Sequence, residues 1–253
     1  MKNESRLPLI EAPVSIGLSE KRELLGEREG KSLYHSVKPD LLIQEFTHSG
    51  ITDPKNHSTA KAISTLRNEI SSYLFEYIER FHIPTHFISK LSATEMAVKR
   101  LQMMPFTVRV YNVVSGPLVK RFGLKEGRSL DFPVIEHYYQ TGKKAPTWIN
   151  EYHLSAFGFA TPEDMKQINR ITSKVNATLR GLCDRRQLFV VDMQLAFGKF
   201  KGQIHVGDEL SPFTCHFWDT SNATTSGADR FLPDQKDVVE AFSELRDRLK
   251  LKV

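Results

Sequence analysis

The order of the hydrophobic patterns constrains this chain most. One long helical pattern runs from about Ser58 to Phe81, with Ile63, Leu66, Ile70, Leu74, Tyr77 and Phe81 recurring every three or four residues. Ile83-Pro84 ends it, because the residue before a proline is pushed out of helical geometry. Strand-like segments follow at Thr85–Lys90, Glu95–Met103, Phe106–Val114 and Pro133–Tyr139, with a short helix at Leu118–Phe122 closed by Gly123. A second long helix begins only at Thr161-Pro162-Glu163-Asp164. There Thr161 suits the N-cap, Pro162 the first helical position, and the two acids the positive end of the helix dipole. Its buried face is Met165, Ile168, Ile171, Val175, Leu179 and Leu182.

Two earlier segments, a strand and turn over Gly26–Tyr34 and a strand over Asp40–Phe46, precede a Gly/Asp/Pro/Asn-rich loop from Thr47 to His57. After the second long helix, Leu188–Phe197, a turn at Gly198–Gly202 and Gln203–Asp208 read as a hairpin. A last helix near Asp234–Leu249 buries Val238, Phe242, Leu245 and Leu249. Strands grouped with strands, and long helices standing apart from them, predict an α+β fold rather than a doubly wound sheet.

With 253 residues, 40% of them hydrophobic, the chain can bury one large core or two lobes sharing a cleft. No apolar run approaches the ~20 residues that cross a bilayer, and the stretch MKNESRLPLIEAPVSIGLSEKRE lacks a signal pattern, so a cytoplasmic protein with no membrane partner is expected. Cys183 and Cys215 form neither a disulfide framework nor a metal-ligand spacing and read as small buried residues. The net charge of +5 is spread along the chain. Without zinc-finger spacing or aromatic–basic interleaving it suits a phosphorylated small molecule better than a nucleic acid.

The segment Ile83–Gly127 reads IPTHFISKLSATEMAVKRLQMMPFTVRVYNVVSGPLVKRFGLKEG. It resembles the SAICAR synthetase family, whose usual pattern here is IPTHF, KLSDTEM and RN.AAGSLVKR. PDLLIQEF, INEYH, VVDMQLAFG, GDELSPFTCHFWD and DRF extend the resemblance along most of the chain. It implies a polar lead-in over 1–20, a small β-rich N-terminal lobe with one helix over 21–105, and a larger α+β lobe over 106–253, with ATP in the cleft between the lobes. It also implies an ATP-dependent amide ligase of purine synthesis that joins the amine of aspartate to the carboxylate of a phosphorylated aminoimidazole ribotide. Mg²⁺ is the implied metal cofactor, and a homo-oligomer is expected.

The resemblance assigns site residues one by one. Asp192, Lys120 and Arg121 fall at the expected reaction centre. Gly30, Lys31, Lys99 and Asp208 are expected nucleotide contacts, and Asp208 with Glu209 the expected metal carboxylates. The short turn around Lys31 reads equally as an exposed β-turn with a solvated lysine. Arg109, Asn112, Ser115, Gly116, Ser211 and His216 are expected to meet substrate. Several positions depart from the family. Its Asp-Lys-Glu face in V-D-F-K-L-E-F-G becomes Asp192, Gln194 and Ala196, which share one face of a strand. The family's phosphate-binding Arg and Ser become Tyr111 and Pro117, and its Asp and Arg beside the last strand become Phe213 and His216. The Thr47–His57 loop also lacks the family's acidic start. Losing such charged groups opens two alternatives: a relative that takes a different carboxylate or amine, and a binding or scaffold homologue with impaired catalysis.

Overall fold

The computed structural model describes residues 20–47, 57–140, 145–221 and 229–250; most of the polar lead-in and of the Thr47–His57 loop lies outside them. Two antiparallel sheets and a set of helices form the α+β architecture. The first sheet has the order β1-β2-β3-β5-β4, from β1 (Leu24–Arg28), β2 (Lys31–His35), β3 (Leu41–Phe46), β4 (Phe87–Lys90) and β5 (Glu95–Lys99). β1 and β2 are joined by a two-residue turn, Glu29-Gly30, with φ of 50° and 70°. Left-handed residues at both central positions give the mirror-type turn whose twist matches the flanking strands.

Helix α1 (His57–Glu79) packs on this sheet. It ends where His82 turns left-handed, at φ 56°, before Ile83-Pro84. The second sheet has the order β10-β9-β6-β7-β8, from β6 (Gln102–Val113), β7 (Ser129–Tyr139), β8 (Thr147–Ile149), β9 (Leu188–Phe200) and β10 (Gln203–Gly207), and β11 (Cys215–Asp219) also pairs with β9. Helix α4 (Pro162–Asp184) covers it, while α2 (Pro117–Phe122) and α3 (Glu151–Ala156) are short. Helix α5 (Val238–Lys250) packs against α1. Thr161 caps α4 in a reciprocal box with Asp164, and Gly123 closes α2 at φ 62°, both as the residue types predict. One continuous core joins α1 residues such as Ile63, Ile70 and Leu74 with Val108 and Leu195 of the second sheet and Leu179 of α4. Both cysteines are buried within the fold, and burial pushes the Cys215 thiol up to about 12.

Some expected boundaries move. The single segment Glu95–Met103 divides into β5 and β6, because the chain leaves one sheet at Arg100-Leu101 and enters the other. Gly198, expected in a turn, lies inside β9, and the turn is the left-handed pair Lys201-Gly202. The reason is contact: a Cβ on Gly198 would sit 2.8 Å from the Leu101 Cβ and 2.9 Å from the Gln102 carbonyl oxygen. The last helix starts at Val238 rather than Asp234. Strands β8 and β11 and helix α3 are additions that the patterning did not mark.

The two sheets are stitched together at Pro84–His86. Val206 N–H donates to the Pro84 carbonyl (2.9 Å), His86 N–H to the Val206 carbonyl (2.8 Å), and Lys99 N–H to the His86 carbonyl (2.6 Å). The His86 imidazole is fully enclosed against Phe75, and burial pushes it down to about 4 despite the pull of Asp208.

Gly198→Ala forces Leu101 and Gln102 off β9 and should destabilise the chain by about 1–3 kcal/mol in urea unfolding, with a neutral effect refuting the close-approach role. His86 is held neutral in the fold. The stability it contributes is therefore complete above about pH 6.5 and is lost as pH falls to about 4. Unfolding free energies at the two ends of that window should differ less in His86→Phe than in the native chain, by on the order of 3 kcal/mol. An identical pH dependence in both proteins would refute the assignment.

Candidate active site

Where the sheets meet, a cavity of about 530 Å³ opens. Its apolar walls come from Leu25, Leu33, Leu42, Val98, Leu101, Met103 and Met104, and its polar groups include Lys31, Gln44, Lys99, Gln194 and Asp208. The β1 strand and its turn form one side, and the crossover at Arg100–Met104 another. Lys31 Nζ lies 2.5 Å from Asp208 Oδ1 and 3.0 Å from Glu209 Oε2. Burial disfavours the lysine's charge, but Asp208 and Glu209 outweigh it and raise its pKa, so Lys31 is a fixed cation. Asp208 holds a left-handed backbone, φ 67°, directly after Gly207, and its carbonyl accepts from Gln44 Nε2 at 3.0 Å. Lys99 donates to the Thr85 carbonyl at 2.8 Å.

From the cavity, where Thr107, Gln194 and Ala196 line it, one face of the second sheet leads on to a second charged cluster. Ala196, Gln194 and Asp192 alternate on β9 opposite Thr107, Arg109 and Tyr111 of β6, stepping about 7 Å per pair of residues. At the far end Asp192 is buried and multiply held. Arg109 donates to its Oδ1 from Nε (3.1 Å) and Nη2 (2.7 Å), Ser115 Oγ donates to Oδ2 (2.8 Å), and His216 Nδ1 stands 3.6 Å from Oδ2. Burial alone would raise the carboxyl's pKa; His216, Arg109 and Ser115 overcome this and lower it. Burial likewise works against the His216 charge, yet Asp192 and Asp229 prevail and raise its pKa, with Nε2 2.8 Å from Asp229 Oδ1. Beside this cluster the Tyr111 hydroxyl is 3.1 Å from that of Tyr138, which donates to Glu136 at 2.7 Å.

The expected residues thus fall into distinct settings. Lys31, Lys99 and Asp208 meet at the cavity, with Gly30 in the adjoining turn. Asp192, Arg109, Ser115 and His216 meet at the other end of the sheet face, and Gly116 lies close by, a Cβ there being 3.9 Å from Arg109 Nη2. Glu209 is withdrawn from the cleft. Its oxygens take Arg67 Nε (2.8 Å) and Nη2 (2.7 Å), Lys31, and a short bond from Ser211 Oγ, so Ser211 also faces inward. Burial raises the Glu209 pKa, but Lys31 and Arg67 bring it down to about 2. Asn112 is likewise structural: it exchanges amide hydrogen bonds with Asn176 of α4 and donates to the Val190 carbonyl. Arg121 donates to Glu136 at 2.7 Å rather than to Asp192, and Lys120 is exposed on α2. Arg67, His86 and Tyr138 were not legible as site residues, since each sits in an element whose pattern reads as core or strand.

Comparisons with known proteins show the family. The SAICAR synthetase family model matches residues 28–247. A phosphoribosylaminoimidazole-succinocarboxamide synthase of Desulfitobacterium hafniense is 36% identical over 232 residues, covering 91% of this chain and 98% of that protein. The crystal structure of the synthase of the same name from Ehrlichia chaffeensis superposes with a TM-score of 0.81 at 28% identity, over 91% of this chain and 100% of that one. A SAICAR synthetase (Type-2) in complex with ADP superposes with a TM-score of 0.79 at 33% identity, over 90% of this chain and 97% of that one. In fold and in sequence over nearly its whole length, this chain belongs to the SAICAR synthetase family.

Proposed function

We propose that the protein is an ATP-dependent amide ligase of purine biosynthesis, joining the amine of aspartate to the carboxylate of carboxyaminoimidazole ribotide. The observation that carries this is the likeness to synthases of that name over nine-tenths of the chain, one of them solved with ADP. The inter-sheet cavity fits the nucleotide: apolar walls for a base, with Lys31 and Lys99 as cations for its phosphates. The ribotide carboxylate attacks the terminal phosphorus and ADP leaves. The neutral aspartate amine then attacks the acyl phosphate carbon; the C–O bond to phosphate breaks, inorganic phosphate leaves, and the nitrogen loses one proton to solvent as the amide forms. Stabilising the charge on the transferring group is the protein's main task in such chemistry.

Asp208 fits Mg²⁺. It lies on the cavity wall with its side chain 32% exposed, and Mg²⁺ is commonly held by one or two carboxylates, completed by phosphates and water. When bound there, the ion neutralises phosphate charge. Glu209 does not fit, because its oxygens are already engaged by Arg67, Lys31 and Ser211. Asp192, fixed by Arg109 and Ser115, presents an ionised carboxylate beside His216 at the acceptor end. Lys120 and Arg121 on α2 are assigned to the anionic groups of the acceptor. A cytoplasmic, homo-oligomeric enzyme is part of this reading. It rests on the likeness to the synthases alone.

A second reading, a relative acting on another carboxylate or amine, is favoured by one observation. The sheet face between the two charged clusters carries uncharged Gln194 and Ala196, and Tyr111 closes its end against Tyr138.

Incubated with ATP, Mg²⁺, aspartate and carboxyaminoimidazole ribotide, the chain should release ADP and the succinocarboxamide product. Bound nucleotide without product would instead support the second reading, and absence of nucleotide binding would refute both. Ala196 pairs with Gly207, the neighbour of Asp208. Ala196→Glu therefore adds a second carboxylate at the metal position, and it should lower the Mg²⁺ concentration at which ATP binding is half-maximal in calorimetric titrations. An unchanged Mg²⁺ dependence would place the metal elsewhere.

A further inference from the structure

Arg67 projects from the middle of α1 and is only 1% exposed. One edge of its guanidinium forks onto Glu209, at 2.8 and 2.7 Å. Its remaining donors reach the tip of the β1–β2 turn: Nη2 to the Glu29 carbonyl (3.1 Å) and Nη1 to the Gly30 carbonyl (3.3 Å). The plane is covered by the Phe213 ring, 4.1 Å from Cζ, with Phe46 at 5.3 Å. Arg67 itself does not line the cavity, whereas Glu29, Lys31 and Asp208 do.

This arrangement exceeds what charge balance needs. Two carboxylates, Asp208 and Glu209, share Lys31, so charge balance requires one further cation, and a lysine would supply that. The planar fork does more, because it binds Glu209 and the turn at once. Glu29 is a non-glycine residue in left-handed geometry, which persists only where surrounding contacts hold it. The Arg67 hydrogen bonds to the carbonyls of Glu29 and Gly30 add to that hold, beside the Thr47 N–H that the Gly30 carbonyl accepts at 2.8 Å, and the next residue in the chain is Lys31. Arg67 also occupies the Glu209 oxygens, so that Lys31 keeps Asp208 as its closer partner, at 2.5 Å against 3.0 Å.

We propose that Arg67 is a positioning residue for the nucleotide: stacked on Phe213 and forked onto Glu209, it pins the β1–β2 turn and keeps Lys31 against Asp208 on the cavity wall. This rests on the reading of the cavity as the nucleotide site.

The test measures ADP affinity by calorimetry, hydrogen exchange at the Glu29-Gly30 turn, and steady-state kinetics on the full chain. Arg67→Lys keeps the charge and loses the fork. It should weaken ADP binding on the order of tenfold, the low end for partners that orient a ligating group. It should also raise the KM for ATP but not for aspartate, and speed exchange at the turn. Where that variant fails to fold, the double variant R67M/E209M decides, because it removes both buried charges together and leaves the Lys31–Asp208 pair balanced. It should fold yet keep the weakened ADP binding, since the turn loses both Arg67 hydrogen bonds and the Gly30 carbonyl keeps only the Thr47 N–H. Native ADP affinity in either variant would reduce Arg67 to charge balance and overturn the proposal. Failure of the unmodified chain to bind ADP would overturn the nucleotide reading itself, and the proposal with it.

Discussion

The buried carboxylate of Glu209 is the point on which the site depends. An isolated ion of that kind is costly inside a protein, and it is tolerated only with excellent geometry and satisfied lone pairs. Here Arg67 of α1, Lys31 of β2 and Ser211 supply both. Two cations face two anions, Asp208 and Glu209, so the cluster is neutral as a whole. It ties α1 and the first sheet to the loop after β10, which belongs to the second. The cavity lies between those sheets, and its charged wall is part of the same cluster. Removing one member leaves another buried and unpaired, which costs more than the net worth of the pair.

The second charged centre, around Asp192, is built on a different logic. Its partners come from β6, the start of α2, and β11, three pieces of chain brought side by side by the pairing of β6 and β11 with opposite edges of β9. His216 links Asp192 to Asp229, which also takes the Trp218 indole N–H at 2.6 Å. Between the two centres the sheet face is uncharged. On the proposed function, the charge clusters at the two ends serve nucleotide and acceptor, and the face between them, with Gln194 and Ala196, carries fewer charged groups than the family's Asp-Lys-Glu pattern.

The sequence made much of this legible. The long helices were readable because an apolar stripe at helical spacing must be buried, and Thr161 and Gly123 act through local backbone chemistry. Lys31, Asp208, Asp192 and Arg109 were identified through motifs, and each stands at one of the two charged centres. Glu209 shows the limit: its neighbour Asp208 faces the cavity, and nothing in the pair's sequence says which carboxylate turns inward. Arg67 was hidden for a related reason. In an amphipathic helix pattern an arginine reads as a surface residue, and only the approach of Phe213, Glu209 and the β1–β2 turn makes it an interior one. Phe213, which looked like the loss of a family carboxylate, is the ring on which Arg67 lies.

By itself, then, the sequence determined the family, the α+β class, the helix cores and the caps, because these depend on periodicity and on residues acting within one turn of themselves. The tertiary structure decided the split at Arg100-Leu101, the need for Gly198 inside a strand, the withdrawal of Glu209, and the roles of Arg67 and His86. Each of those depends on contact between segments far apart in the chain, where the cost of a buried charge or an added Cβ is set by the neighbour that happens to lie across the gap.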